Sequence, residues 1–113
     1  MNMKAIGLAL AGAAFLTLGN VAQAAQLNKN VGRYVYQCDG GKNLEVVYIN
    51  AGGKSFAVIN QVDEMVPMSQ IKSASGANYK AISPNYTYKL YTKGKMADLV
   101  EGKDKPVLSN CHL

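Results

Sequence analysis

The chain has 113 residues, with twelve Lys and Arg against seven Asp and Glu, a formal net charge of +5 and a 49% hydrophobic share. That length fits one domain rather than two. The charge is mildly basic and holds no cluster of four to eight Lys or Arg, which argues against a nucleic-acid or anionic-lipid surface.

Residues 5–18 (AIGLALAGAAFLTL) are nearly all apolar. The run is too short to span a bilayer, which takes about 20 residues. It follows Lys4 and leads into Val21-Ala22-Gln23-Ala24, an A-x-A cleavage pattern. The expected reading is a signal peptide over residues 1–24, removed near Ala24, and a mature domain over 25–113 with net charge +4. A lipoprotein signal would place a Cys directly after the cleavage site, whereas Ala24, Ala25 and Gln26 stand there. The expected product is periplasmic, soluble and without a membrane anchor.

Residues 25–32 are polar and read as a loose arm. Short alternating runs then follow one another. Tyr34, Tyr36 and Cys38 share one face of the first, and Leu44, Val46 and Tyr48 share one face of the second. In the third, Phe56 and Val58 alternate with Ala57 and Ile59. Glu64–Met68, Asn78–Ile82, Thr87–Thr92, Met96–Val100 and Pro106–Cys111 complete the series. Turn signals at Asp39-Gly40-Gly41, Asn50 to Gly53, Asn60-Gln61, Ser75-Gly76, Ser83-Pro84-Asn85, Lys93-Gly94 and Glu101-Gly102 separate them. Asp-Gly and Gly-Gly supply the positive φ that hairpin turns need. Strands this short, punctuated this often and rich in Tyr and Val, predict an antiparallel all-β fold. No window repeats apolar residues at helical spacing.

Cys38 and Cys111 form an even pair in a chain that reads as exported, which predicts a disulfide. A metal site would want CxxC spacing or histidine neighbours, and the one histidine is His112. The bond would close a loop of about 74 residues, worth on the order of 4 kcal/mol on the chain-entropy model. It would tie the last strand to the first, so the expected architecture is a small eight-stranded antiparallel β-barrel closed by one disulfide.

Chemistry for catalysis is sparse. His112 reads as solvated. Asp63 and Glu64 are adjacent, so on a strand they would point to opposite faces and could not flank one bond. No enzyme, cofactor or metal is expected.

Two segments stand out together. Ser73-Ala74-Ser75-Gly76-Ala77-Asn78-Tyr79 is a loop of small polar residues ending on an aromatic. Tyr91-Thr92-Lys93-Gly94-Lys95-Met96-Ala97-Asp98-Leu99 raises a cation on a tight turn. With Tyr36-Gln37-Cys38-Asp39-Gly40 before them and Cys111 after, the order resembles the periplasmic and membrane-bound inhibitors of c-type lysozyme, over essentially the whole mature domain. That resemblance implies a barrel with an end-to-end disulfide and c-type lysozyme as partner, its cleft entered by loop residues that engage the catalytic carboxylates. It implies a binding set of Ser73, Ser75, Gly76, Tyr79, Tyr91, Lys93 and Gly94, with Ser73 and Lys93 making the central contacts. The missing lipid-acceptor Cys is similar to the soluble members. A homodimer is left open, and the competing reading is a structural or adhesive periplasmic β-domain.

Overall fold

The structure, a computed structural model, describes residues 24–113. The signal-peptide reading therefore lies outside the described residues apart from Ala24. Nine strands form: β1 Ala24–Asn28, β2 Val31–Cys38, β3 Lys42–Ala51, β4 Lys54–Gln61 and β5 Glu64–Ile71. They continue as β6 Ala77–Ala81, β7 Lys89–Lys93, β8 Met96–Glu101 and β9 Lys105–His112. Each pairs antiparallel with its neighbour in sequence. β9 returns to β2 through His112 opposite Gln37, closing β2 to β9 into an eight-stranded barrel.

The expected loose arm is corrected. Ala24 lies opposite Tyr34 and Asn28 opposite Val31, so the segment is a strand, and Val31 and Gly32 already belong to β2. The reason is the stagger of the seam. β9 pairs with β2 in the ladder at Gln37, near the disulfide end, so the Val31 end of β2 needs hydrogen-bond partners that β1 supplies.

Alternation sets the inward faces. Tyr36 and Cys38 from β2, Leu44 and Val46 from β3, and Val66 and Met68 from β5 are buried, as are Leu90, Leu99, Leu108 and Cys111. In β4 both alternating sets are apolar, so the sequence leaves the face open. The register decides it: Ile59 lies opposite Val46 and Ala57 opposite Tyr48, which turns Ala57 and Ile59 inward. Met68 is fully buried, whereas Met65 is 74% exposed.

One turn also differs from expectation. The β4–β5 connection is at Val62 and Asp63, both at positive φ (46° and 62°), while Asn60 and Gln61 stay in the ladder opposite Met65 and Glu64. Aspartate tolerates this backbone, but a β-branched valine at positive φ is rare and no glycine follows, so local composition did not mark the turn.

The disulfide joins Cys38 to Cys111, with their Cα atoms 3.9 Å apart. Beside it β9 bulges at Asn110, whose φ is 52°. The Asn110 amide N–H donates to Asp98 Oδ1 at 2.9 Å, and its side-chain Nδ2 donates to Asp39 Oδ2 at 2.7 Å. The seam is thus held by a covalent bond and by hydrogen bonds spanning the β2–β3 turn, β8 and β9.

Candidate functional site

Antiparallel order sorts the connections to two ends. The upper rim carries the β1–β2 turn, the β3–β4 turn, the β5–β6 loop, the β7–β8 turn and Leu113. The lower rim carries the other four connections. Charge sorts with them. The upper connections and their flanks hold Lys29, Lys54, Lys72, Lys93 and Lys95 and no acidic residue. Among the described residues the one ion pair is Arg33 with Glu45 at 2.9 Å on the outer wall, so the rim lysines form no ion pair among them.

Two of these connections touch. Gly76, at φ +70°, lies so close to β7 that a Cβ there would collide with the Thr92 carbonyl oxygen and come within 3.3 Å of the Lys93 Cβ. Ala77 lies opposite Thr92 in the sheet, and the Thr92 hydroxyl donates to the Ala77 carbonyl at 2.6 Å. The loop is also tied internally. The Ser73 hydroxyl donates to the carbonyls of Ser75 and Gly76, each at 3.0 Å. A hydroxyl has one proton and two lone pairs, so this serine is spent as a donor and retains accepting capacity. Lys93 ends β7 opposite Met96, and Gly94 at φ +58° makes the tight turn with nothing around its missing side chain. Lys93, Gly94 and Lys95 are exposed.

Below the loops the barrel mouth opens into a cavity of about 280 Å³, lined in part by Asn30, Tyr34, Tyr36, Tyr48, Tyr79 and Gly94. Its tyrosines pack as a cluster. Tyr48 lies edge-on to Tyr34 at 5.3 Å and tilted against Tyr79 at 5.6 Å, and the Tyr36 and Tyr48 hydroxyls are 2.9 Å apart. Burial pushes the phenols of Tyr36, Tyr48 and Tyr79 above their ordinary range, which keeps them neutral donors and acceptors.

The structure brings the loop of Ser73, Ser75 and Gly76 against the turn of Lys93 and Gly94 through Gly76, with Tyr79 in the cavity wall beneath. Tyr91 stands apart. It points outward from β7, where its hydroxyl donates to Asp104 Oδ1 at 2.7 Å, a bond that raises its own pKa. The sequence reading places Tyr79 in the binding set but not Thr92 or the other three tyrosines of the mouth. Tyr34, Tyr36 and Tyr48 were assigned to an inward face, but alternation does not say that this part of the face is the mouth. Among the described residues no group of three or more His, Cys, Asp or Glu could hold a metal, and no helix is long and apolar enough to cross a membrane.

Fold and rim together define a small closed β-barrel that presents a paired, cationic loop set at one end. The family model described as membrane-bound lysozyme-inhibitor of c-type lysozyme matches residues 36–108, and the chain belongs to that family. The family is one of inhibitor proteins, not of enzymes. A curated relative from Cupriavidus necator, the membrane-bound lysozyme inhibitor of C-type lysozyme, is 38% identical over 80 residues, which are 67% of this chain and 61% of that protein. The chain thus spans about three-fifths of that relative's length. The crystal structure of the periplasmic lysozyme inhibitor PliC-St from Salmonella typhimurium is 58% identical, with a TM-score of 0.70 over 74% of this chain and 97% of that one. Pseudomonas aeruginosa MliC, solved in complex with hen egg white lysozyme, is 30% identical, with a TM-score of 0.56 over 90% and 96% of the two chains.

Proposed function

We propose that this protein inhibits c-type lysozyme in the periplasm by placing the β5–β6 loop and the β7–β8 turn in the enzyme's active-site cleft. The observation that carries the reading is the contact of the Ser73-bearing β5–β6 loop, through Gly76, with Thr92 and Lys93 at the β7–β8 turn, on a rim without acidic residues. A lysozyme works with one protonated and one ionised carboxyl group. The Lys93 ammonium offers a point charge and three donors to the ionised one. Because the Ser73 proton is held by the Ser75 and Gly76 carbonyls, its oxygen meets the protonated carboxyl as an acceptor, with no internal bond broken. Ser75, Gly76 and Gly94 give the loops their shape, and Tyr79 supports them from the cavity wall. Tyr91 contributes outside the cleft or not at all. The net charge of the mature chain does little here, since the complementarity is local.

Cleavage next to Ala24 and release without an acyl group belong to the same reading, and intact mass of the exported protein checks both. The decisive test is turbidity. Purified 25–113 should slow lysis of a cell-wall suspension by c-type lysozyme in proportion to its concentration, and undiminished lysis at stoichiometric excess would overturn the proposal.

A further inference from the structure

We propose that Thr92 and Gly76 are positioning residues that join the β5–β6 loop to the β7–β8 turn, so that Ser73 and Lys93 meet a partner as one preformed body. This rests on the reading of the two loops as the inhibitory ones. It adds a residue outside the expected binding set and assigns Gly76 a role other than contact.

The geometry is specific. A five-residue loop of Lys72, Ser73, Ala74, Ser75 and Gly76, exposed throughout, has no apolar side chain to anchor it. Left to itself it would sample many shapes, and each residue fixed on binding would cost backbone entropy. Three contacts remove that freedom beforehand. Ser73 closes the loop on its own carbonyls, Gly76 seats directly on the Thr92 backbone, and the Thr92 hydroxyl holds the Ala77 carbonyl where the loop enters β6. Thr92 immediately precedes Lys93. One residue therefore sets both the end of the first loop and the base of the second. Gly94 shows the contrast: it too has positive φ, but open space surrounds it, so it is required by conformation alone. Gly76 is required by conformation and by close approach.

Apparent affinity falls by the fraction of molecules in the binding-competent shape. Loosening the clamp should therefore weaken inhibition without unfolding the barrel. The test uses the mature chain and a c-type lysozyme, with binding kinetics, melting temperature and amide hydrogen exchange read on each variant. Thr92→Val keeps the shape and removes the hydroxyl, and Thr92→Ser restores it. Thr92→Val should weaken binding about 3- to 10-fold, in line with one lost hydrogen bond. Exchange should quicken across residues 73–77 while β3 and β5 amides stay protected. Thr92→Ser should return binding to within about twofold of wild type. Gly76→Ala, which forces the loop off β7, should cost more than Thr92→Val. If Thr92→Val binds like wild type while Lys93→Ala is severely weakened, the clamp is wrong and the inhibitory reading stands. Loss of binding in Thr92→Val that Thr92→Ser fails to restore also overturns the clamp. If Lys93→Ala itself binds like wild type, the underlying reading falls with it.

Discussion

Both rims of the barrel tie neutral polar groups internally, but they differ in charge. At the lower rim carboxylates take part in those ties. Asp39 accepts from Asn110, the Tyr86 hydroxyl donates to Glu64, and the Gly102 amide donates to the Thr87 hydroxyl. Asp104 accepts from Tyr91, and the rings of Tyr86 and Tyr88 stack at 6.0 Å under the core. At the upper rim five lysine side chains form no ion pair among the described residues, and an open tyrosine-walled cavity replaces the stacked pair. Charged groups without a partner inside a molecule are available to pair with another. On the proposed reading, the lower end holds the barrel's shape and the upper end meets the lysozyme.

That division can be broken by experiment. The largest effect should come from the seam. Cys38→Ser with Cys111→Ser removes a cross-link spanning 73 residues, and on the order of 4 kcal/mol of stability should go with it. Denaturant unfolding measures the loss, and a change under about 1 kcal/mol would mean the hydrogen-bonded seam suffices alone. Next is Lys93→Ala, for which losing one member of a desolvated, hydrogen-bonded charge pair typically costs about 2–5 kcal/mol, or 30-fold and more in the inhibition constant. Lys95→Ala removes the same charge two residues away and should cost about threefold or less. Equal losses in the two variants would reduce the rim to net charge. Neither should move the melting temperature.

Asn110→Ala is the converse case. It loses the bond from Nδ2 to Asp39 and places alanine at a φ of 52°, so thermal unfolding should show a loss of about 1–2 kcal/mol. Inhibition per folded molecule should be unchanged; a weakened inhibition constant would show that the two ends are coupled. The smallest effect at neutral pH concerns the tyrosine cluster. The folded state raises the phenol pKa values of Tyr36, Tyr48 and Tyr79 above the ordinary 10.0. It thus favours their protonated forms, and the stability this gives is intact below pH 10 and lost as the pH climbs beyond it. Phenolate absorbance should lag behind that of free tyrosine, with the melting temperature dropping only in the alkaline range. A drop between pH 7 and 9 would contradict the burial of these rings.

Much of this was legible in the chain, and the failures have physical causes. Alternation found the inward faces of β2 and β3, and the cysteine pair found the seam. The face of β4 was ambiguous because Phe56, Val58, Ala57 and Ile59 are all apolar, and only cross-strand register separates them. The Val62-Asp63 turn was invisible because it puts a β-branched valine at positive φ, where such residues are rare. β1 was read as an arm because the vacancy it fills on β2 is created by the stagger of β9, some 80 residues away in sequence. At the candidate site, ordered motifs single out Ser73 and Lys93. They do not single out Thr92, because the close approach of Gly76 to it is a contact that no local pattern encodes.

The closure of the barrel sets the order in which it can be built. Every hairpin from β2 to β9 joins neighbours in sequence and can form as the chain emerges, with little loop entropy to overcome. The seam is different, since it needs β9 beside β2 and Cys111 beside Cys38. A chain delivered from its N-terminal end presents Cys38 long before its partner arrives, so this bond cannot form until the seventh further strand has followed. The cross-link can only come after every hairpin of the sheet is available.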